Sequence, residues 1–498
     1  MSLGLGALPL GMLPPEAVPT PLRDAYRALA LEGRIKGVTL EYKNDGQVEA
    51  TMALDEVALN LPVETRPSED KEGNPVPLPP EQVGRQLRLQ RTNGTIALKA
   101  AGGQGHLEAD LHGFVEELPY DVKLRTTGAS ATSAFVLELS CREFEITKNP
   151  QILRFATATA QRRMEQFSHP TGIVDATVTI ERGEAIKQAD GTLAAGAIKV
   201  SGVLKIRDGT AAFERFPYRF EKMTGEWRFD ENRIDIVRVE AEAPSGAKVR
   251  ASGWIAPLTD DAGAEINVHV EDLPIDAALE EGMGKRRRIL DALFNRERYA
   301  ELLKSGRVVS PAAAAKAKSD LAALEAQGRG NSPEAEAARR VLARPEFEPG
   351  GVAKVDVRVW RVAGMLGDAA WNDSVQIHLA RARILPEKFP YPILAHDVLI
   401  SKENDDATIR GGTYSGLRGG SASVTANANL KNVDDPNLPF VPSIRVQGRG
   451  LPVDDLFIHA IPERSAGMDG ASPVRMLDDL RLSAIVDCDV TLDPTPDG

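Results

Sequence analysis

The chain has 498 residues, 42% of them hydrophobic and 27% charged, with a net charge of −12. That composition excludes a disordered chain, and the excess of acidic groups argues against a nucleic-acid binder. Two cysteines, Cys141 and Cys488, supply neither a disulfide framework nor a four-thiolate zinc site, and both sit in phase with apolar neighbours as small hydrophobes.

In chain order, residues 1–32 form a lead-in segment with a short helix; MSLGLGALPLGMLPPE is broken by Pro9, Pro14 and Pro15 and lacks the basic start of a secretory signal. An alternating strand opens at Gly33 (GRIKGVTLEY), and the same opening returns at Gly172 (GIVDATVTIE) and Gly351 (GVAKVDVRVW). The closing segments also correspond. INVHVEDLPIDAAL (266–279) aligns with IRVQGRGLPVDDLF (444–457) without a gap, and VKLRTTGASATSAF (122–135) fits the frame without the Leu-Pro. Between opening and closing, an FPY element recurs at Phe216 and Phe389, with Pro77 and Pro79 in its place in the first copy. Self-similarity of this kind marks tandem repeats.

The division is therefore a degenerate β repeat at 33–149, a connecting helix at 150–171, a second β repeat at 172–280, a helical insertion at 281–349 and a third β repeat at 350–457. Residues 458–498 are a connector and the start of a further repeat; LRLSAIVDCDVTLDPTPDG reads as a strand that has just begun, so the chain is expected to be an internal piece of something longer. Within the repeats, Val174, Ala176, Val178 and Ile180 oppose Asp175, Thr177, Thr179 and Glu181, a period of two that argues for strands with one apolar face. Arg207-Asp-Gly and Asn93-Gly-Thr95 read as hairpin turns. Pro274 and Pro452 each end a strand and seat a helix. The fold class is mainly β with inter-repeat helices: an elongated antiparallel meander sheet of three tandem repeats, curled into an open groove.

Catalytic and cofactor chemistry find little footing. The seven histidines lack metal spacing, His106 and His112 being the nearest to it, and no carboxylate pair stands out. Neither a Walker A loop nor a G-x-S-x-G nucleophile elbow occurs. The expectation is a non-enzymatic protein with no cofactor, no metal site and no catalytic residues. The basic run at residues 285–288 reads as a solvated helix start.

What remains is the apolar side of the sheet. About twenty strands at ~4.8 Å spacing would run on the order of 100 Å, and so large an apolar surface is rarely left bare. The sheet either closes on itself or curls into a trough whose lining is satisfied by something else, for which acyl chains would suit aliphatic walls. The lipid-facing candidates are Val174, Val178, Ile180, Ile198, Val200, Leu204 and Ile206, then Ile266, Val268, Val270, Val355, Val357 and Val359, and last Val424, Ile444 and Val446.

The stretch MTGEWRFDENRIDIVRVEAEAPSGAKVRASGWI, with its Gly-led strand, its "A-S-G" ending and the Leu-Pro-Ile-Asp closure, resembles the AsmA-like superfamily, which includes TamB and YhdP. The resemblance covers most of 33–457. It implies a β-groove in the periplasm, anchored in the inner membrane by an N-terminal helix that is expected to lie outside this chain. It also implies phospholipid movement toward the outer membrane, with phospholipids or other acyl lipids, the membrane, and outer-membrane or periplasmic proteins as partners, and no nucleic acid. A structural β-repeat scaffold of the envelope with closed cores is the competing expectation.

Overall fold

The computed structural model describes residues 2–10, 32–42, 47–62, 86–101, 104–115, 117–128, 132–147, 167–188, 191, 193–213, 216–259, 261–365, 367, 370–431, 433, 442–461 and 484–492. Strand dominates. Of the 24 strands among the described residues, 22 belong to antiparallel sheet and two form a hairpin of their own. The chain divides into two compact units: residues 1–214, 221–240 and 252–262 make the first, and residues 215–220, 241–251 and 263–498 the second.

The first unit holds β1 (Ser2–Leu5), β2 (Leu8–Pro9), β3 (Glu32–Tyr42), β4 (Val48–Pro62), β5 (Gln86–Ala101), β6 (Gln104–Val115), β7 (Leu118–Thr126), β8 (Phe135–Glu145) and β9 (Phe167–Arg182). It continues with the short hairpin β10 (Ile186–Lys187) and β11 (Leu193–Ala194), and with β12 (Ile198–Phe213). Each strand from β3 to β9 pairs antiparallel with the next, β9 pairs with β12, and β1 and β2 both pair with β3. Three further strands, β13 (Phe216–Phe229), β14 (Ile234–Glu242) and β15 (Lys248–Ala256), contribute residues to both units.

The second unit contains β16 (Gly263–Pro274), β17 (Gly350–Arg361), β18 (Trp371–Ile384), β19 (Ile393–Glu403), β20 (Asp406–Arg410), β21 (Thr413–Gly416), β22 (Gly419–Asn429), β23 (Ser443–Val453) and β24 (Ala484–Leu492). Neighbours in the chain again pair, with β20 and β21 both seated between β19 and β22. Between β16 and β17 lie α1 (Ala277–Gly282), α2 (Arg287–Leu293), α3 (Arg296–Lys304), α4 (Pro311–Ala326) and α5 (Pro333–Leu342), and α6 (Asp455–Ala460) follows β23. Proline starts α4 and α5 at the position where its missing N–H costs nothing, after the capping hydroxyls of Ser310 and Ser332. In both Leu-Pro-x-Asp closures it is the aspartate that caps the helix. Asp276 accepts from the Leu279 N–H and Asp454 from the Phe457 N–H, each at 2.9 Å.

The core of the second unit gathers where these helices meet the strand ends. Phe347 and Leu385 are fully buried there with Val308, Leu456, Tyr299 and Tyr391. The FPY element at Phe389 adds two packed rings, Phe389 and Tyr391 at 6.0 Å, both of which also contact Phe457. Burial pushes the Tyr391 hydroxyl up to about 12. The first unit has thinner cores within the sheet, one around Leu10, Ile35, Leu54 and Val57 and one around Leu89, Val115, Leu118 and Tyr120. The buried Tyr120 hydroxyl is paired with Thr92 at 2.5 Å.

Bulges interrupt the strands of each unit. Register shifts fall at Leu54/Val57, Gln90/Asn93, Cys141/Phe144, Arg207/Thr210 and Val270/Leu273, and within them Glu56, Arg91, Glu143, Asp208 and Asp272 are left-handed. Bulges sharpen twist and bend the strands that carry them. At two of them the backbone N–H finds a side chain on the adjoining strand, Glu56 donating to Asn93 Oδ1 at 3.1 Å and Glu143 to Asp175 Oδ1 at 2.9 Å. Two of the opening glycines, Gly33 and Gly172, lie against these kinks. Gly172 has φ +136°, and a Cβ there would come within 2.9 Å of the Gly209 Cα; at Gly33 it would meet the Glu56 carbonyl oxygen at 2.7 Å.

Several expectations change. Arg207-Asp-Gly is a bulge inside β12, and Asn93-Gly-Thr95 lies mid-strand in β5, opposite Asp110 to His112. Of the connecting helix expected at 150–171, residues 150–166 lie outside the described residues and 167–171 begin β9. In the lead-in segment 1–32, residues 11–31, where its helix would fall, are outside the described residues, and residues 2–5 and 8–9 are strand. Pro77, Pro79 and most of the connector after Ile461 are likewise outside them.

Candidate functional site

Antiparallel registry puts directly opposed residues on the same face, so the apolar phase of each strand adds to that of the next. In the first unit Leu5 opposes Val38, Val38 opposes Met52, Met52 opposes Ile96, and Ile96 opposes Ala109. The row continues from Ala109 through Leu124, Leu137 and Ile180 to Val200. A parallel row passes Leu111, Val122, Leu139, Val178 and Gly202. In the second unit Val270, Val355, Ile377, Ile400 and Ile409 form one row, which goes on through Ala426 and Ile444 to Leu492.

Within each unit the register brings the sequence-predicted residues together. In the first, Val174 faces Ile206, Ile180 faces Val200, Ala176 faces Leu204, and Val178 faces Gly202. In the second, Ile266 faces Val359, Val268 faces Val357, Val270 faces Val355, and Val424 faces Val446, with Ile444 opposite Ala426. Val174 and Val270 are buried at 9% exposure, Ile198 is 57% exposed at the end of its row, and the other thirteen candidates are half-buried. These side chains shield one another along the face without being sealed.

The opposite face is a lattice of ion pairs. Arg358 holds Glu265 through two contacts of 3.2 and 3.1 Å, and Arg445 holds Asp489 at 3.1 and 2.7 Å, which with Gln447 keeps the Asp489 carboxyl down at about 2. His269 contacts Asp356 at 2.6 Å and Glu271 at 3.1 Å; the hydrogen bonds to these carboxylates raise its pKa, that to Asp356 most. His106 and His112 are exposed here, six positions apart along β6, about 20 Å of strand and too far to share a metal. Among the described residues no group of three or more His, Cys, Asp or Glu could hold a metal ion. Asn93 is taken up by the bulge, its amide donating to the Arg91 carbonyl at 2.9 Å.

Sequence reasoning missed the charges on the apolar face. Arg182 opposes Phe135 and Ile198, and Arg361 opposes Ala264 and Trp371, each in phase with its strand's apolar set. Lys402 continues the row of Val268, Val357 and Val375, and it pairs with Asp373 on the neighbouring row. Arg361 is 7% exposed, its Nε has no hydrogen-bond partner, and such a group costs roughly 1–3 kcal/mol or more. The detectable signal was position: both arginines stand tenth after an opening glycine, where the alternation calls for another apolar residue. Cys141 and Cys488 are free and half-buried in the apolar phase, and burial raises the Cys141 thiol.

Comparison with protein-family models, with curated proteins and with solved structures finds no match in any of the three. Among the described residues no helix is long and apolar enough to cross a membrane.

Proposed function

We propose that the apolar sheet faces carry the acyl chains of phospholipids, and that the protein is a non-enzymatic carrier of the bacterial envelope working between inner and outer membranes. The observation that carries this reading is the unbroken aliphatic row from Val38 to Val200, half-buried along most of its length and directly opposed at each strand. Seven strand spacings of ~4.8 Å give about 34 Å of wall, longer than a single acyl chain, since a bilayer core of about 30 Å holds two end to end. The bulges support a sheet that curls around its apolar side into a trough, with the repeat frame setting their recurrence. A periplasmic location, with an inner-membrane anchor in a longer protein, belongs to the same proposal.

Photo-crosslinking residues at Val200, Leu204 and Val268 should capture lipid from envelope extracts. Val200→Asp, Leu204→Asp and Val268→Asp should abolish capture by crosslinkers at neighbouring row positions while the circular dichroism of the sheet persists. Absence of lipid adducts at all three positions in the unmutated background would refute the carrier. The sealed cluster of Phe347, Leu385 and Val308 favours a second reading, a closed-core scaffold. Under that reading the Asp variants would unfold the protein instead.

A further inference from the structure

We propose that Arg182 and Arg361 are headgroup anchors, each holding the phosphate of a phosphoglyceride whose chains lie along the neighbouring apolar rows; this rests on the carrier reading above. The two residues are equivalents in the repeat frame, the last residues of β9 and β17. Each points to the apolar face of its own unit at the end of the strand. Each guanidinium is set against an aromatic ring, Arg182 over Phe135 at 4.7 Å and Arg361 over Trp371 at 5.8 Å.

Their polar partners are neutral. Arg182 gives Nε and Nη2 to the Ser133 carbonyl at 2.9 and 2.6 Å, and Arg361 gives Nη2 to the Met365 carbonyl. Among the described residues neither makes an ion pair with a carboxylate, whereas Arg207, Arg358 and Arg445 on the polar face all do. A cation set into an aliphatic wall without counter-charge is costly unless an anion arrives. Arg182 also lines a cleft of about 460 Å³, which it shares with Arg125 and Lys199 and with Glu181 and Glu184. The guanidinium N–H donors beyond those given to the carbonyls fit phosphate oxygens, and the adjoining rows leave the esterified chains in apolar surroundings. A ligand with an anion at one end and aliphatic chains at the other satisfies both features at once.

The test uses the full chain incubated with vesicles carrying traces of either phosphatidylglycerol or a diacylglycerol with the same chains, followed by recovery and lipid counting. The wild type should retain phosphatidylglycerol at least about tenfold better, the worth of one charged hydrogen-bonded contact. The Arg182→Gln/Arg361→Gln double variant should lose that preference and keep its diacylglycerol level. Arg182→Lys/Arg361→Lys, with charge but no fork, should fall between. If the double variant still prefers phosphatidylglycerol, or if the wild type retains both lipids equally, the headgroup assignment fails while the carrier stands. If millimolar inorganic phosphate erases the preference, the arginines serve free anions and the assignment also fails. Retention of neither lipid by the wild type overturns the carrier itself.

Discussion

The two units bury apolar surface in different ways. In the first, the small clusters around Val57 and Tyr120 lie within the sheet, and the rows themselves supply the apolar surface. In the second, helices and loops build a cluster at the strand ends, where Phe347 and Leu385 have no exposure, while the mid-strand valines remain half-buried. Stability is thus concentrated away from the face in one unit and spread along it in the other.

The largest expected effect tests that division. Leu385→Ala should cost about 3 kcal/mol or more, against about 1 kcal/mol for Val357→Ala, in denaturant unfolding; equal costs would erase the distinction between sealed end and half-buried face. Next come the opening glycines. Gly172→Val forces a branched side chain into a left-handed backbone against Gly209, and about 2–3 kcal/mol of destabilisation should follow on thermal unfolding. A neutral result would mean that the kink can relax. The smallest effect sharpens the account of the polar face. Because its carboxylate partners raise His269 above the ordinary value near 6.5, its contribution is present below about pH 6.5 and is lost as pH rises through the folded pKa. His269→Gln should therefore cost about 0.5 kcal/mol at pH 6 and less at pH 8, within the range of exposed pairs. A cost that grows with pH would contradict the hydrogen bonds to Asp356 and Glu271.

Strand existence and facing were legible in the sequence because burial on one side imposes strict alternation. Val174, Ala176, Val178 and Ile180 do share a face, and their polar alternates, such as Asp175, meet partners on the other. Turns and bulges were not separable, since Asp-Gly and Asn-Gly supply left-handed backbone to both. Arg207-Asp-Gly was misread for that reason, and only the register past it, with Thr210 opposite Thr171, distinguishes a kink from a reversal. Arg182 and Arg361 escaped notice because a charge in an apolar phase looks like the end of a strand, and its lack of a carboxylate partner is a property of three dimensions.

The glycine-and-bulge contacts have a consequence for how the chain finds its alignment. Strands with so plain an alternation could slide past one another by two residues and still present the same face. Sliding β9 along β12 would carry the side chain of Val174 or Pro170 to the spot that admits only Gly172, against the backbone of Arg207 and Gly209. Each kink therefore acts as a notch that accepts one tooth, and a sheet of near-interchangeable strands acquires a means of rejecting its own misassembled forms.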